Sequence, residues 1–374
     1  MNSRCVAVRI VAIACILWLV SSVTGQNIGF SVEGSNGEWY VDSAERASDV
    51  QFSDFAGRRG MWLRNNTQVI RRGVEFADGT VEFDVAPMEK GNFVAVIFRR
   101  ASGTNHENIY FRVHRSGLYN ALQYAPRINA SSTWQLYPEF NSTIDLPRNR
   151  WTRVRVEIIG PKLAVFINGG KIPVLAVSRL RGPAKTGTVG FWARVNEKPT
   201  EWAAALSNVS VRPAPIVASS SSEAPILQAA ETLTDWEAVG PFPAATEMKY
   251  GAENLKGWKR IEVEENGLVI LNRQFAAVRG ARTALLRTNI NSADARAARL
   301  ELGYSDEVKI FLNGEPVYQG NNGFESRHPE YMGFVKPGFE SVYLRLRPGT
   351  NELVIALTDD QRFGWGLTAR LLKN

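Results

Sequence analysis

Cysteine is nearly missing from this chain of 374 residues. Its two cysteines, Cys5 and Cys15, both lie at the extreme N-terminus. Beyond them no disulfide, thiolate nucleophile or thiolate metal ligand can form. Histidine is scarce as well. His106, His114 and His328 stand at no metal-ligand spacing, which argues against a zinc site. Long apolar runs are confined to residues 10–20, which follow Arg4 and Arg9 and precede Ser21-Ser-Val-Thr-Gly25. A basic start, a short apolar centre and a small-residue exit over residues 1–25 predict a secretory signal peptide. The run is too short to span about 30 Å of hydrocarbon as a helix, so no membrane span is expected in the mature chain. Lipid attachment at Cys15 is set aside because the apolar run continues past it. The expected location is secreted or periplasmic, outside the cytoplasm.

Long runs of one charge are missing too. The formal net charge is +7. Residues 26–211 hold 23 basic and 17 acidic side chains, and residues 212–374 hold 19 and 20. The basic excess of the first half is scattered in pairs such as Arg58-Arg59, Arg71-Arg72 and Arg99-Arg100, so neither a nucleic-acid patch nor a membrane patch is expected. No glycine-rich stretch has phosphate-loop spacing, and Ser116-Gly117 lacks a nucleophile elbow.

What the chain does have is short alternating runs separated by Gly, Asn, Asp and Pro. They fall at 80–85, 93–98, 109–114, 152–158, 163–167 and 188–192, the spacing of an antiparallel sandwich. Residues 212–228 are rich in Pro, Ala and Ser and predict an extended linker. From 229 strand signals resume at 267–271, 283–288, 299–302, 307–312, 341–346, 352–357 and 366–371. Asn313-Gly314 marks a hairpin turn. The expected fold is all-β, with two β-sandwich (jelly-roll) domains, 26–211 and 229–374, joined by the linker.

The stretch 109–114 alternates without a break. Ile109, Phe111 and Val113 take one face and Tyr110, Arg112 and His114 the other. A phenol, a guanidinium and an imidazole side by side suit a polar ligand with flat apolar faces, such as a sugar. Tyr119, Gln123, Tyr124, Trp134, Gln135 and Tyr137 follow closely and complete a candidate binding surface. The competing expectation is that several of these rings are ordinary core.

Residues 79–193 resemble a bacterial branch of the concanavalin A-like lectin/glucanase fold, the laminarin-type jelly roll. The likeness is carried by Phe98-Arg99, Asn108-Ile-Tyr-Phe-Arg-Val-His-Arg-Ser-Gly117, Ala121-Leu-Gln-Tyr124, Trp134-Gln-Leu-Tyr137, Trp151-Thr-Arg-Val-Arg-Val156 and Gly187-Thr-Val-Gly-Phe-Trp192. It implies a concave sheet that receives carbohydrate. Calcium occurs in such folds, yet no Asp-rich loop here predicts it. The second half is similar to galactose-binding-like jelly rolls, through Trp236, Gly240-Pro-Phe-Pro243, Gly303-Tyr-Ser-Asp-Glu307, Phe311-Leu-Asn-Gly314 and Gly349-Thr-Asn-Glu-Leu353. Such modules bind sugar or pack against a partner domain.

Catalysis would need two carboxylates at a defined separation. Glu82 and Asp84 share a strand face and match the start of the laminarinase motif Glu-x-Asp-x-x-Glu. Its third carboxylate is replaced by Pro87, and Glu89 comes two residues late. Glu107, beside His106, is a further acid or base candidate. Asp306 and Glu307 are open to a loop-ligand role or to turn chemistry, and Trp236 and Trp365 are expected in a core. Sequons stand at Asn65, Asn129, Asn141 and Asn208. The favoured expectation is carbohydrate recognition without catalysis, with no cofactor. Two alternatives stay open: a glycoside hydrolase using Glu82, Asp84 or Glu107, and an envelope-assembly protein with a protein partner on the second sandwich.

Overall fold

A computed structural model of the chain describes residues 30–64, 66–197, 200–215, 231–243, 255–276, 280 and 282–372. The expected signal peptide, residues 1–25, Asn65 and most of the expected linker lie outside the described residues. The fold is all-β: the described residues form four antiparallel sheets, and their helical structure is limited to short 3-10 turns. No helix among the described residues is long and apolar enough to cross a membrane.

The first sandwich pairs an eight-stranded sheet with a seven-stranded one. In spatial order the eight strands are Phe30–Ser31, Trp39–Val41, Gln68–Arg71, Thr188–Arg194, Phe93–Ser102, Asn105–Arg112, Leu122–Tyr124 and Asn141–Ser142. The seven are Leu175–Val177, Lys162–Ile167, Thr152–Ile159, Asp78–Pro87, Trp202–Ala214, Arg58–Arg64 and Val50–Phe55. The expected strands are present and mostly longer, because ladder pairing carries a strand past the point where apolar alternation stops. Trp202–Ala214 takes in Arg212, Pro213 and Ala214, which composition alone gave to the linker. Alternation sends Val81, Phe83 and Val85, Val94, Val96 and Phe98, and Ile109 and Phe111 into one core between the sheets.

The second sandwich pairs six strands with four. The six are Lys259–Ile261, Trp236–Pro243, Arg282–Ser292, Gly349–Asp359, Glu307–Leu312 and Glu315–Asn321. The four are Leu268–Ile270, Gly366–Leu372, Arg296–Ser305 and Glu340–Leu346. Asn313 and Gly314 both take positive φ, 50° and 88°, and join Leu312 to Glu315 in the two-residue hairpin their sequence calls for. Trp236 and Trp365 are fully buried here.

The two sandwiches share apolar contacts. Leu268, Ile270 and Val335 of the second belong to the same cluster as Leu136, Tyr137 and Phe140 of the first. A separate aromatic cluster sets Trp134 against Phe324, Phe334 and Phe363 at 5.3–5.7 Å between ring centroids. Gln135 is tied at four points. Its N–H donates to the Phe363 carbonyl (3.2 Å), its carbonyl accepts from Val335 N–H (2.9 Å), its amide donates to the Met332 carbonyl (3.1 Å), and its side-chain oxygen accepts from Ser305 (2.8 Å). Around this seam Arg181 pairs with Glu264 and Glu265, Arg273 with Glu264, and Arg115 with Glu330.

Candidate functional site

The outer face of the eight-stranded sheet is built from the positions that alternate away from the core. Register aligns them in three rows. Tyr40, Ile70, Gly190, Ile97 and Asn108 form one; Gln68, Trp192, Ala95, Tyr110 and Gln123 the next; Arg194, Phe93 and Arg112 the third. Gly190 is needed in the first row, since a Cβ there would stand 2.4 Å from the Val69 carbonyl and 2.7 Å from the Ile70 side chain.

Trp192 is the half-buried centre of what stays open. It packs on Tyr40, Ile70 and Ile97 on one side and on the Ala95–Tyr110 cluster on the other. Its indole N–H is fixed to the Asn108 amide oxygen at 3.2 Å. Phe93, also half-buried, lies 6.2 Å from it with the rings inclined at 35°. The exposed imidazole of His114 meets the Phe93 edge at 4.9 Å and its Nδ1 lies 3.0 Å from the Asn92 carbonyl. Burial lowers the His114 pKa, and the charges of Arg112, Arg115 and Arg148 add to the effect over that bond. Gln68 accepts from Arg100, which also pairs with Asp42. Together these side chains make a lane of aromatic surface edged by amides and cations.

The residues expected to bind divide sharply. Tyr110, Arg112 and Gln123 do share the outer face, but as a buried brace. Arg112 donates to the Tyr110 hydroxyl (2.7 Å) and the Gln123 oxygen (2.9 Å), and lies 5.0 Å from the Tyr110 and Trp134 ring centroids. Trp134 and Gln135 face the second sandwich and are buried by it. Tyr124 and Tyr137 are not on this surface at all. Both point into the core, which is where alternation puts Tyr124 beside Leu122, and their hydroxyls bond Glu107 and Glu264. His114 has left the strand, which ends at Arg112 before the 3-10 turn Val113–Arg115, yet it returns to the lane through Phe93. Tyr119, 53 % exposed, stands 6.5 Å from Phe334 at the seam.

None of the three candidate catalytic carboxylates reaches the lane. Glu82 and Asp84 lie on the outer face of the other sheet, engaged by Arg153 and Arg212 and by Arg58, Arg153 and Asn208 respectively. Burial acts to raise the Glu82 pKa, and the bonds from Arg212 and Arg153 outweigh it, so it lies below the usual carboxylate range. Glu107 is sealed inside the sandwich, accepting from the Tyr124 hydroxyl (2.7 Å) and Gly182 N–H (3.1 Å). Burial pushes its pKa up to about 7 against those bonds and the Arg99 charge. Asp306 is likewise buried and accepts from the N–H groups of Asp360 and Gln361, so it organises a turn.

Phe93, Gln68 and Arg194 were not singled out from the sequence, and Trp192 and Asn108 entered only as part of the family resemblance, not as binding residues. Outward alternation at Phe93 and Trp192, both within expected strands, was the available signal.

No protein-family model matches the chain, and no curated protein matches it. Among solved structures it is similar to a carbohydrate-binding module, CBM66, from Bacillus subtilis, at 12% identity over 47% of this chain and 95% of that one, with a TM-score of 0.34. A Bacillus licheniformis β-glucanase matches at 11% identity over 46% and 84%, with a TM-score of 0.33. A Bacillus subtilis protein of unknown function with a galectin-like fold matches at 13% identity over 45% and 88%, with a TM-score of 0.32.

Proposed function

We propose that the protein is an exported carbohydrate-binding protein that holds a glycan chain on the outer face of its eight-stranded sheet and does not cleave it. The observation that carries this is the Trp192–Phe93 lane, two half-buried rings beside Gln68, Asn108 and His114. Ring faces stack on the apolar faces of sugars while amides and imidazole meet the hydroxyls. The three rows of that face contain no carboxylate, whereas glycoside hydrolysis ordinarily needs a pair flanking the bond. The second sandwich contributes Phe334 to the aromatic cluster that borders the lane. The resemblance of residues 79–193 to concanavalin A-like sandwiches agrees with this use of the sheet.

A glycan array on the mature chain tests the proposal, run beside Trp192→Ala. Truncating a central aromatic contact costs about 2 kcal/mol, roughly thirtyfold in Kd. Binding that Trp192→Ala weakens to that extent supports the lane. Absence of binding to any glycan, with a stable protein partner co-purifying, favours the protein-contact role instead.

A further inference from the structure

The charges around the lane are unequal. Arg72 lies over the Tyr40 ring at 4.9 Å. Arg100 reaches Gln68 and pairs with Asp42. At the other end Arg194 stands directly across the ladder from Phe93, is exposed, and has no ion pair or hydrogen bond to another side chain among the described residues. Beyond Phe93, the His114 ring lies in the field of Arg112, Arg115 and Arg148. Two carboxylates of this region are already engaged, Asp42 by Arg100 and Glu330 by Arg115 at 2.7 Å. The first sandwich as a whole is basic, with 23 cationic against 17 anionic side chains over residues 26–211.

Most of these arginines have structural work that explains them. Arg194 does not. A neutral glycan can be held by amides and hydroxyls alone, whereas an unpaired guanidinium beside a stacking ring can also neutralise an acidic substituent. A guanidinium offers two parallel N–H donors to a carboxylate or a sulfate, a geometry that neutral hydroxyls do not match. We infer that the lane takes an anionic polysaccharide, with a sugar ring over Trp192 and Phe93 and its acidic substituent held by Arg194. This rests on the carbohydrate-binding reading above and narrows it to uronate-bearing or sulfated chains.

Calorimetric titration of the mature full-length protein tests it with four probes: an oligogalacturonate, a sulfated galactan oligosaccharide, a neutral cello-oligosaccharide and polyglutamate. One or both acidic oligosaccharides are expected to bind roughly tenfold or more tighter than the neutral one at low salt, the size of one charge-assisted contact. The preferred acidic arm distinguishes carboxylate from sulfate. Arg194→Ala should remove that preference, Arg194→Glu reverse it, and Arg194→Lys keep part of it. Equal binding of the neutral chain, an acidic-sugar affinity unchanged in Arg194→Glu, or equally tight binding of polyglutamate would overturn the anionic preference. If neutral binding persists and Trp192→Ala weakens it, the carbohydrate reading stands without the preference. If no oligosaccharide binds, the reading itself fails.

Discussion

The Arg112 guanidinium lies between two rings, 5.0 Å from each centroid, and donates to Tyr110, Gln123 and the Asn120 carbonyl. Those partners leave it little to offer a ligand, and its removal strips a charge-assisted bond from three buried acceptors. Arg112→Ala is therefore expected to destabilise the fold by about 2–4 kcal/mol in urea unfolding. While folded, it should lose less glycan affinity than Trp192→Ala. Strand alternation correctly put Tyr110 and Arg112 on one face, but alternation cannot tell a surface from an interface. That depends on Trp134 and on Phe324, Phe334 and Phe363 of the second sandwich, 190 or more positions further on. Glu107 shows the same limit. As a residue type it was a fair acid candidate, and only the fold reveals that Tyr124 and Gly182 enclose it. Its pKa is raised from 4.5 to about 7. The folded state therefore keeps a proton that the unfolded chain loses as pH rises above 4.5. The stabilisation from this protonated group is complete below pH 4.5 and lost as pH rises through 7. Glu107→Gln should flatten that decline by about 3 kcal/mol across the window, read from denaturant midpoints at a series of pH values.

At the scale of elements, most of the strands themselves were open to reading because period-two alternation and Gly/Asn turns are local signals, whereas their order within the sheets was not. Glu307–Leu312 and its Asn313-Gly314 turn match the expectation residue for residue. The ends of strands were harder. Asn105–Arg112 starts four residues before apolar alternation does, since its first residues pair with Phe93–Ser102 across a bulge. The loop after Leu122–Tyr124 was read as more binding surface, yet its centre is the Gln135 latch. Gln135→Ala removes two side-chain bonds across the seam, while Ser305 keeps the Asp306 carboxylate and the Gly364 carbonyl as acceptors. The expected loss is about 1–3 kcal/mol. Hydrogen exchange should show faster opening at Met332–Val335 than in the strands of either sandwich.

For the whole molecule, the Pro/Ser-rich composition of residues 212–228 suggests two modules held apart, but the side chains at the seam join them. A shared apolar cluster, a four-point glutamine latch and the ion pairs Arg181–Glu264, Arg181–Glu265 and Arg115–Glu330 cross the boundary. Contacts this apolar and this well bonded should couple the two sandwiches in unfolding, unlike the polar interfaces over which domains usually move. A scan of the mature chain by calorimetry is expected to give one endotherm whose van't Hoff and calorimetric enthalpies agree. Trp134→Ala is the decisive variant. It empties the centre of the inter-module cluster, where Phe324, Phe334 and Phe363 converge, and it uncovers the Arg112 brace from one side. Removing a ring of this size costs about 3–5 kcal/mol, drawn almost entirely from the seam rather than from either core. The endotherm should then split in two, with the midpoint of the first sandwich lowered. A single, merely shifted endotherm in Trp134→Ala would mean that the polar latch and the ion pairs couple the modules without the aromatic cluster. Two endotherms already in the unaltered protein would mean that the sandwiches unfold independently despite the seam.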